Sequence, residues 1–85
     1  MPLQCDWTDI AVGENLKRIR LGRGISLARA ANYLSTPEPQ FELFEQGALR
    51  IASSDLFKLG RLLNVPVGSF FEFDLERGEA NEMAS

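Results

Sequence analysis

The sequence has no histidine. The commonest general base and the commonest metal ligand are therefore missing together. Cys5 is the only cysteine, so neither an intrachain disulfide nor a cysteine-built zinc site can form. A bridge between chains is conceivable through Cys5, but a free thiol is the simpler reading. No apolar run approaches the roughly 18 residues that a membrane span needs. Asp6 and Asp9 stand where a signal segment would be basic and then apolar. A phosphate-cradling loop is also missing. Gly22 and Gly24 flank Arg23, but no strand precedes them and there is no third glycine, so they read as a helix end. The carboxylates are scattered along helix surfaces. These absences predict a soluble, cytoplasmic chain that is not an enzyme and has no cofactor, metal or small-molecule ligand.

What is present fits one small domain of 85 residues, 45% of them hydrophobic. The net charge is −3, which argues against generic attraction to nucleic acid. Its distribution matters more than its sum. Asp6 and Asp9 make residues 1–11 acidic. Glu72, Asp74, Glu76, Glu79 and Glu82, against Arg77, make residues 69–85 more so. The stretch between is mildly basic, with Lys17, Arg18, Arg20, Arg23, Arg29, Arg50, Lys58 and Arg61.

Along the chain, residues 1–9 read as an N-terminal arm, 10–73 as the folded domain and 74–85 as an acidic, flexible tail. The first helix is expected from Ile10 or Val12 to Leu21, with Val12, Leu16 and Ile19 inward and Glu14, Asn15, Lys17 and Arg18 outward. Ser26 is a natural N-cap for a second helix whose Leu27, Ala30, Ala31 and Leu34 share one face. Ser35-Thr36-Pro37 breaks it. Thr36 is placed to cap the third helix, and Pro37 suits its first position. Phe41 and Phe44 mark the buried face of that helix, and Gly47 its left-handed end. Ser53 or Ser54 caps a fourth helix, with Asp55 in its first turn and Leu56, Leu59, Leu62 and Leu63 inward. Asn64 ends it. Val67 to Glu72 reads as a short fifth helix carrying Phe70 and Phe71. Two short helices joined by a tight turn, residues 26–47, form a helix-turn-helix, a motif common in DNA-binding proteins.

Several pieces fall in register over about residues 12–71: Val12-Gly13-Glu14, the Leu16 to Arg20 run, Gly24-Ile25-Ser26, Ala30, Ala31 and Leu34, Phe44-Glu45-Gln46-Gly47, and the leucine and phenylalanine series from Leu56 to Phe71. Together they resemble the Cro/C1 repressor, or XRE, family, including small phage repressors and restriction–modification controller proteins. The resemblance implies an all-α, five-helix lambda-repressor-like domain, with the helix-turn-helix at helices two and three. It also implies a buried ion pair between Arg20 and Glu45, for which the planar fork of arginine is suited. A phosphate contact is the other reading of Arg20, and fold glue is favoured.

The resemblance further implies base contacts from the third helix, here Glu38, Gln40, Glu42 and Leu43, and phosphate contacts from Lys17, Arg23, Arg29 and Arg50. Arg50 is the foremost of these, because it follows the reading helix. For each cation, the alternative is a solvated surface charge. A homodimer interface is expected at Phe70, Phe71, Phe73 and Leu75, with Phe70 or Phe71 closing the core. Trp7 either packs on helix one or four or joins that interface, and packing is favoured.

The sequence also departs from the pattern. Leu27 stands where a phosphate-binding glutamine is usual, Pro39 has no polar atom, and no cation lies on the reading helix. Two functions follow. One is a sequence-specific transcriptional regulator from a bacterium or phage, binding double-stranded DNA as a homodimer on an inverted repeat. The other is a protein-interaction module of antitoxin or anti-repressor type. The basic middle segment and Arg50 favour the first. Glu38, Pro39, Glu42, Leu27 and the low pI favour the second.

Overall fold

A computed structural model describes residues 7–72. Four α-helices follow in order: α1 Trp7–Gly22, α2 Leu27–Tyr33, α3 Glu38–Gln46 and α4 Ser53–Leu63. No strand occurs among the described residues. A single 3-10 turn, Val67–Phe71, stands where a fifth helix was expected. Ser69 N donates to Pro66 O over 2.9 Å, the tighter i→i+3 pattern. Pro66 and Gly68 disfavour a longer α-helix there.

Local chemistry fixes several boundaries. The Ser26 hydroxyl accepts from Arg29 N, so it caps α2. Gly47 and Asn64 end α3 and α4 in the left-handed region, with φ of 78° and 60°. Elsewhere tertiary context shifts the starts. Residues 7–9 are helical rather than part of an arm, and Asp9 lies in the first turn of α1, where its charge complements the helix dipole. Thr36 does not cap α3, because its hydroxyl donates to Leu34 O instead. Pro37 is the N-cap residue and not the first helical one; its carbonyl accepts from both Gln40 N and Phe41 N. Ala52 plays that part for α4, with its carbonyl accepting from Asp55 N and Leu56 N, so Ser53 and Ser54 lie inside the first turn.

The core is one cluster: Val12 and Leu16 from α1, Ala30, Ala31 and Leu34, Phe41 and Phe44 from α3, Leu56, Leu59 and Leu63 from α4, and Phe70. Each of the larger side chains contributes about 1.5–3 kcal/mol by leaving water. The rings of Phe41 and Phe44 meet edge to face at 6.1 Å. Phe70 is completely buried, so it is a core residue and not part of an interface. Leu27 is half-buried against the core, on the face it shares with Ala30, Ala31 and Leu34. Trp7 is 56% exposed.

Asn15 also departs from its expected outward face. It is buried, and its amide donates to Phe70 O at 3.0 Å and Glu72 O at 2.9 Å. Arg18 in turn donates to Asn15 Oδ1. The 3-10 turn is thus tied to α1 by a fully used side chain. Gly13 lets α1 and α3 touch: a Cβ there would meet the carbonyl oxygens of Phe44 and Glu45.

Candidate nucleic-acid interface

The turn between α2 and α3 is closed by backbone bonds. Thr36 N donates to Ala31 O at 2.9 Å, and Ser35 N to Asn32 O at 3.0 Å. Ser35 takes a positive φ of 56° to make the corner. Beneath it, Ala30, Ala31, Phe41 and Phe44 lock α2 to α3. Arg20 holds α3 from the α1 side. Its Nε lies 2.6 Å from Glu45 Oε2 and its Nη2 3.1 Å from Oε1, both side chains being buried. Its Nη1 donates to Ile25 O, which secures the loop before α2. A buried pair held by this many bonds makes Arg20 part of the scaffold.

With Phe41, Phe44 and Glu45 inward, α3 turns Glu38, Pro39, Gln40, Glu42, Leu43 and Gln46 to the surface. Glu38 lines a cleft with Arg29 and Asn32, and Glu42 and Gln46 line another with Lys17. The structure therefore brings two cations, Arg29 and Lys17, beside the expected base-contact residues. Arg23 and Arg50 are engaged elsewhere. Arg23 reaches Asn64 O at the end of α4 over 3.5 Å. Arg50 forks onto Asp9, Nε to Oδ1 at 3.0 Å and Nη2 to Oδ2 at 3.1 Å. Phe71 is 46% exposed, while Cys5, Phe73 and Leu75 lie outside the described residues.

Sequence reasoning missed two features of this surface. Gln46 stands one turn beyond Glu42, and that spacing was a usable signal. The start of α3 is nearly without backbone donors. Pro37 and Pro39 have no N–H, and those of Gln40 and Phe41 are spent on Pro37 O. Anchoring phosphates at this helix start, as many helix N-termini do, is confined to the N–H of Glu38.

No family model matches the chain. Solved structures do. The restriction–modification controller protein C.AhdI from Aeromonas hydrophila superposes with a TM-score of 0.67 at 19% identity, covering 73% of this chain and 94% of that one. The biofilm regulator SinR, in a complex with DNA, superposes with a TM-score of 0.64 at 21% identity, covering 72% and 98%.

This chain carries a Cro/C1-type helix-turn-helix domain.

Sequence relatives agree with that assignment. An HTH-type transcriptional regulator from Sinorhizobium medicae is 34% identical over 64 residues, 75% of this chain and 46% of the relative. A transcriptional regulator in the ATPase CF(0) region of Rhodospirillum rubrum is 31% identical over 71 residues, 84% of this chain and 65% of the relative. The chain thus spans about half to two-thirds of these relatives' length. The kinship is with a non-enzymatic family. No helix among the described residues is long and apolar enough to cross a membrane.

Proposed function

We propose that the protein is a sequence-specific, DNA-binding transcriptional regulator of the cytoplasm. It acts as a homodimer on an inverted repeat. One observation carries this reading: α3 is locked to α2 and α1 by the core and by Arg20–Glu45, yet keeps the side chains of Glu38, Pro39, Gln40, Glu42, Leu43 and Gln46 exposed. Arg29 and Lys17 beside it supply the cationic contacts that α3 lacks. SinR, which has this fold, was solved with DNA. The partly exposed Phe71, with Leu49 nearby on the same groove, offers apolar surface for a second copy. A two-fold dimer would set its half-sites about 34 Å apart.

Fluorescence anisotropy on genomic fragments, at low and moderate salt, tests the reading. Binding that discriminates among sequences and weakens steeply with salt supports it. No binding at about 50 mM salt, or equal binding to all fragments, overturns it. Sedimentation of the wild type and of Phe71→Asp tests the dimer.

A second reading rests on the acidity of α3. Glu38 and Glu42 make no ion pair among the described residues, which suits a basic protein partner. SinR is also known in a complex with the protein SinI. Weak or no DNA binding by the wild type, with loss of a protein complex when both glutamates are neutralised, would favour this reading.

A further inference from the structure

We infer that the reading face of α3 selects cytosine, and 5-methylcytosine over cytosine, by setting Glu38 beside an apolar ridge of Pro39 and Leu43. The inference rests on the DNA-binding reading above and specifies its base chemistry.

Residues four apart on a helix stand one above the other. Opposite the buried Phe41, Phe44 and Glu45, the exposed surface of α3 therefore carries two parallel ridges. Pro39 and Leu43 form one. Glu38, Glu42 and Gln46 form the other. Glu38 and Glu42 make no hydrogen bond or ion pair among the described residues, so their oxygens are uncommitted. A carboxylate accepts and does not donate. Pro39 lacks even a backbone N–H. The N-terminal half of the face therefore offers acceptors next to apolar surface, with Gln40 on the far flank.

Each base edge in the major groove can be set against this pattern. Guanine presents two acceptors, N7 and O6, and repels a carboxylate. Thymine offers its methyl to the apolar ridge but turns the acceptor O4 toward Glu38. Adenine has an amino donor with the acceptor N7 beside it. Cytosine alone sets an amino donor, N4, next to an apolar position, C5. A methyl on C5 leaves N4 untouched and adds apolar surface where Pro39 and Leu43 stand. The negative charge of the acidic ridge lowers affinity for any phosphate, so the ridge serves discrimination more than attraction.

The test begins with a pool of random duplexes of about 30 base pairs, long enough for two half-sites one turn apart. The full chain selects from this pool at about 50 mM salt. A retained duplex is then compared by anisotropy in four forms. The candidate cytosine is left unmodified, is methylated at C5, is replaced by thymine opposite adenine, or is kept opposite 7-deazaguanine, which removes guanine N7. Thymine is expected to weaken binding about tenfold or more at one pair in each half-site. The C5-methyl is expected to strengthen it about fourfold, the effect of burying one methyl-sized group. The 7-deazaguanine form should bind unchanged. Glu38→Gln, shown folded by circular dichroism, should still bind but lose the preference for cytosine over thymine. Loss of binding with 7-deazaguanine, weakening by the C5-methyl, or unchanged preference in Glu38→Gln overturns the cytosine assignment alone. Failure to retain any duplex overturns the DNA-binding reading and this inference with it.

Discussion

Arg20 of α1 grips Glu45 in the last turn of α3 through two parallel bonds, 2.6 and 3.1 Å long, out of reach of solvent. The pair is a joint between the first helix and the reading helix. Removing one partner strands the other charge in the interior. Arg20→Ala or Glu45→Ala should therefore cost about 3–5 kcal/mol in urea denaturation, a large share of a small domain's stability. Replacing both with Met and Leu should restore most of the loss, because the desolvation of the charges disappears with them. A single-variant cost below about 1 kcal/mol would refute the joint.

Gly13→Ala should be severe for a residue that gains one methyl. The new Cβ would collide with backbone, 2.6 Å from Glu45 O and against Phe44 O as well. Backbone atoms in two packed helices cannot swing aside, so α1 must shift off α3. A loss of about 1–3 kcal/mol or more is expected, read as a fall in Tm of several degrees for each kcal/mol. An unchanged Tm would show that the helices are not in contact there.

Asn15→Ala removes both donors that hold Phe70 O and Glu72 O. The buried Phe70 carbonyl left without a partner costs about 1–3 kcal/mol, whereas the exposed Glu72 carbonyl can turn to water. Amide exchange in residues 67–71 should quicken more than exchange in α3, since the bond ties the 3-10 turn and not the reading helix. Equal acceleration everywhere would mean that Asn15 acts only through global stability.

Salt dependence separates the cations. Arg29→Ala should lower the slope of log affinity against log salt by about 1, the signature of one lost phosphate contact. Arg50→Ala should change it less, because Asp9 already neutralises that guanidinium. A double-mutant cycle between Asp9 and Arg50 should give a coupling of about 0.2–1 kcal/mol, since the Arg50 side chain is 65% exposed. A full unit of slope lost in Arg50→Ala would show that DNA displaces Asp9.

Much of the fold could be read locally. Ser26, Gly47 and Asn64 mark their helix ends because capping and left-handed backbone are decided within a few residues. The spacing of Ala30, Ala31, Leu34, Phe41 and Phe44 placed the inner faces of α2 and α3 for the same reason. Thr36, Ser53 and Ser54 misled, because the N-cap positions fall on Pro37 and Ala52, which make no side-chain capping bond, so side-chain chemistry did not mark these two helix starts. The burial of Asn15 could not be read from its neighbours: its acceptor on Phe70 lies 55 residues away, and a polar residue on a helix looks outward until its distant acceptor is known. The candidate site divides likewise. Which α3 side chains reach the surface follows from helical period. That Arg50 belongs to Asp9, 41 residues away, does not.

The contact at Gly13 has a consequence for recognition. With its backbone pressed against α1 and its last turn gripped by Arg20, α3 has almost no freedom left to lose. A ligand meeting this helix finds a template already set. Its affinity is spared the entropy of ordering the reader, and the heat capacity of binding should reflect buried surface alone. Any induced fit then falls to the other partner, whose own stiffness becomes part of what is recognised.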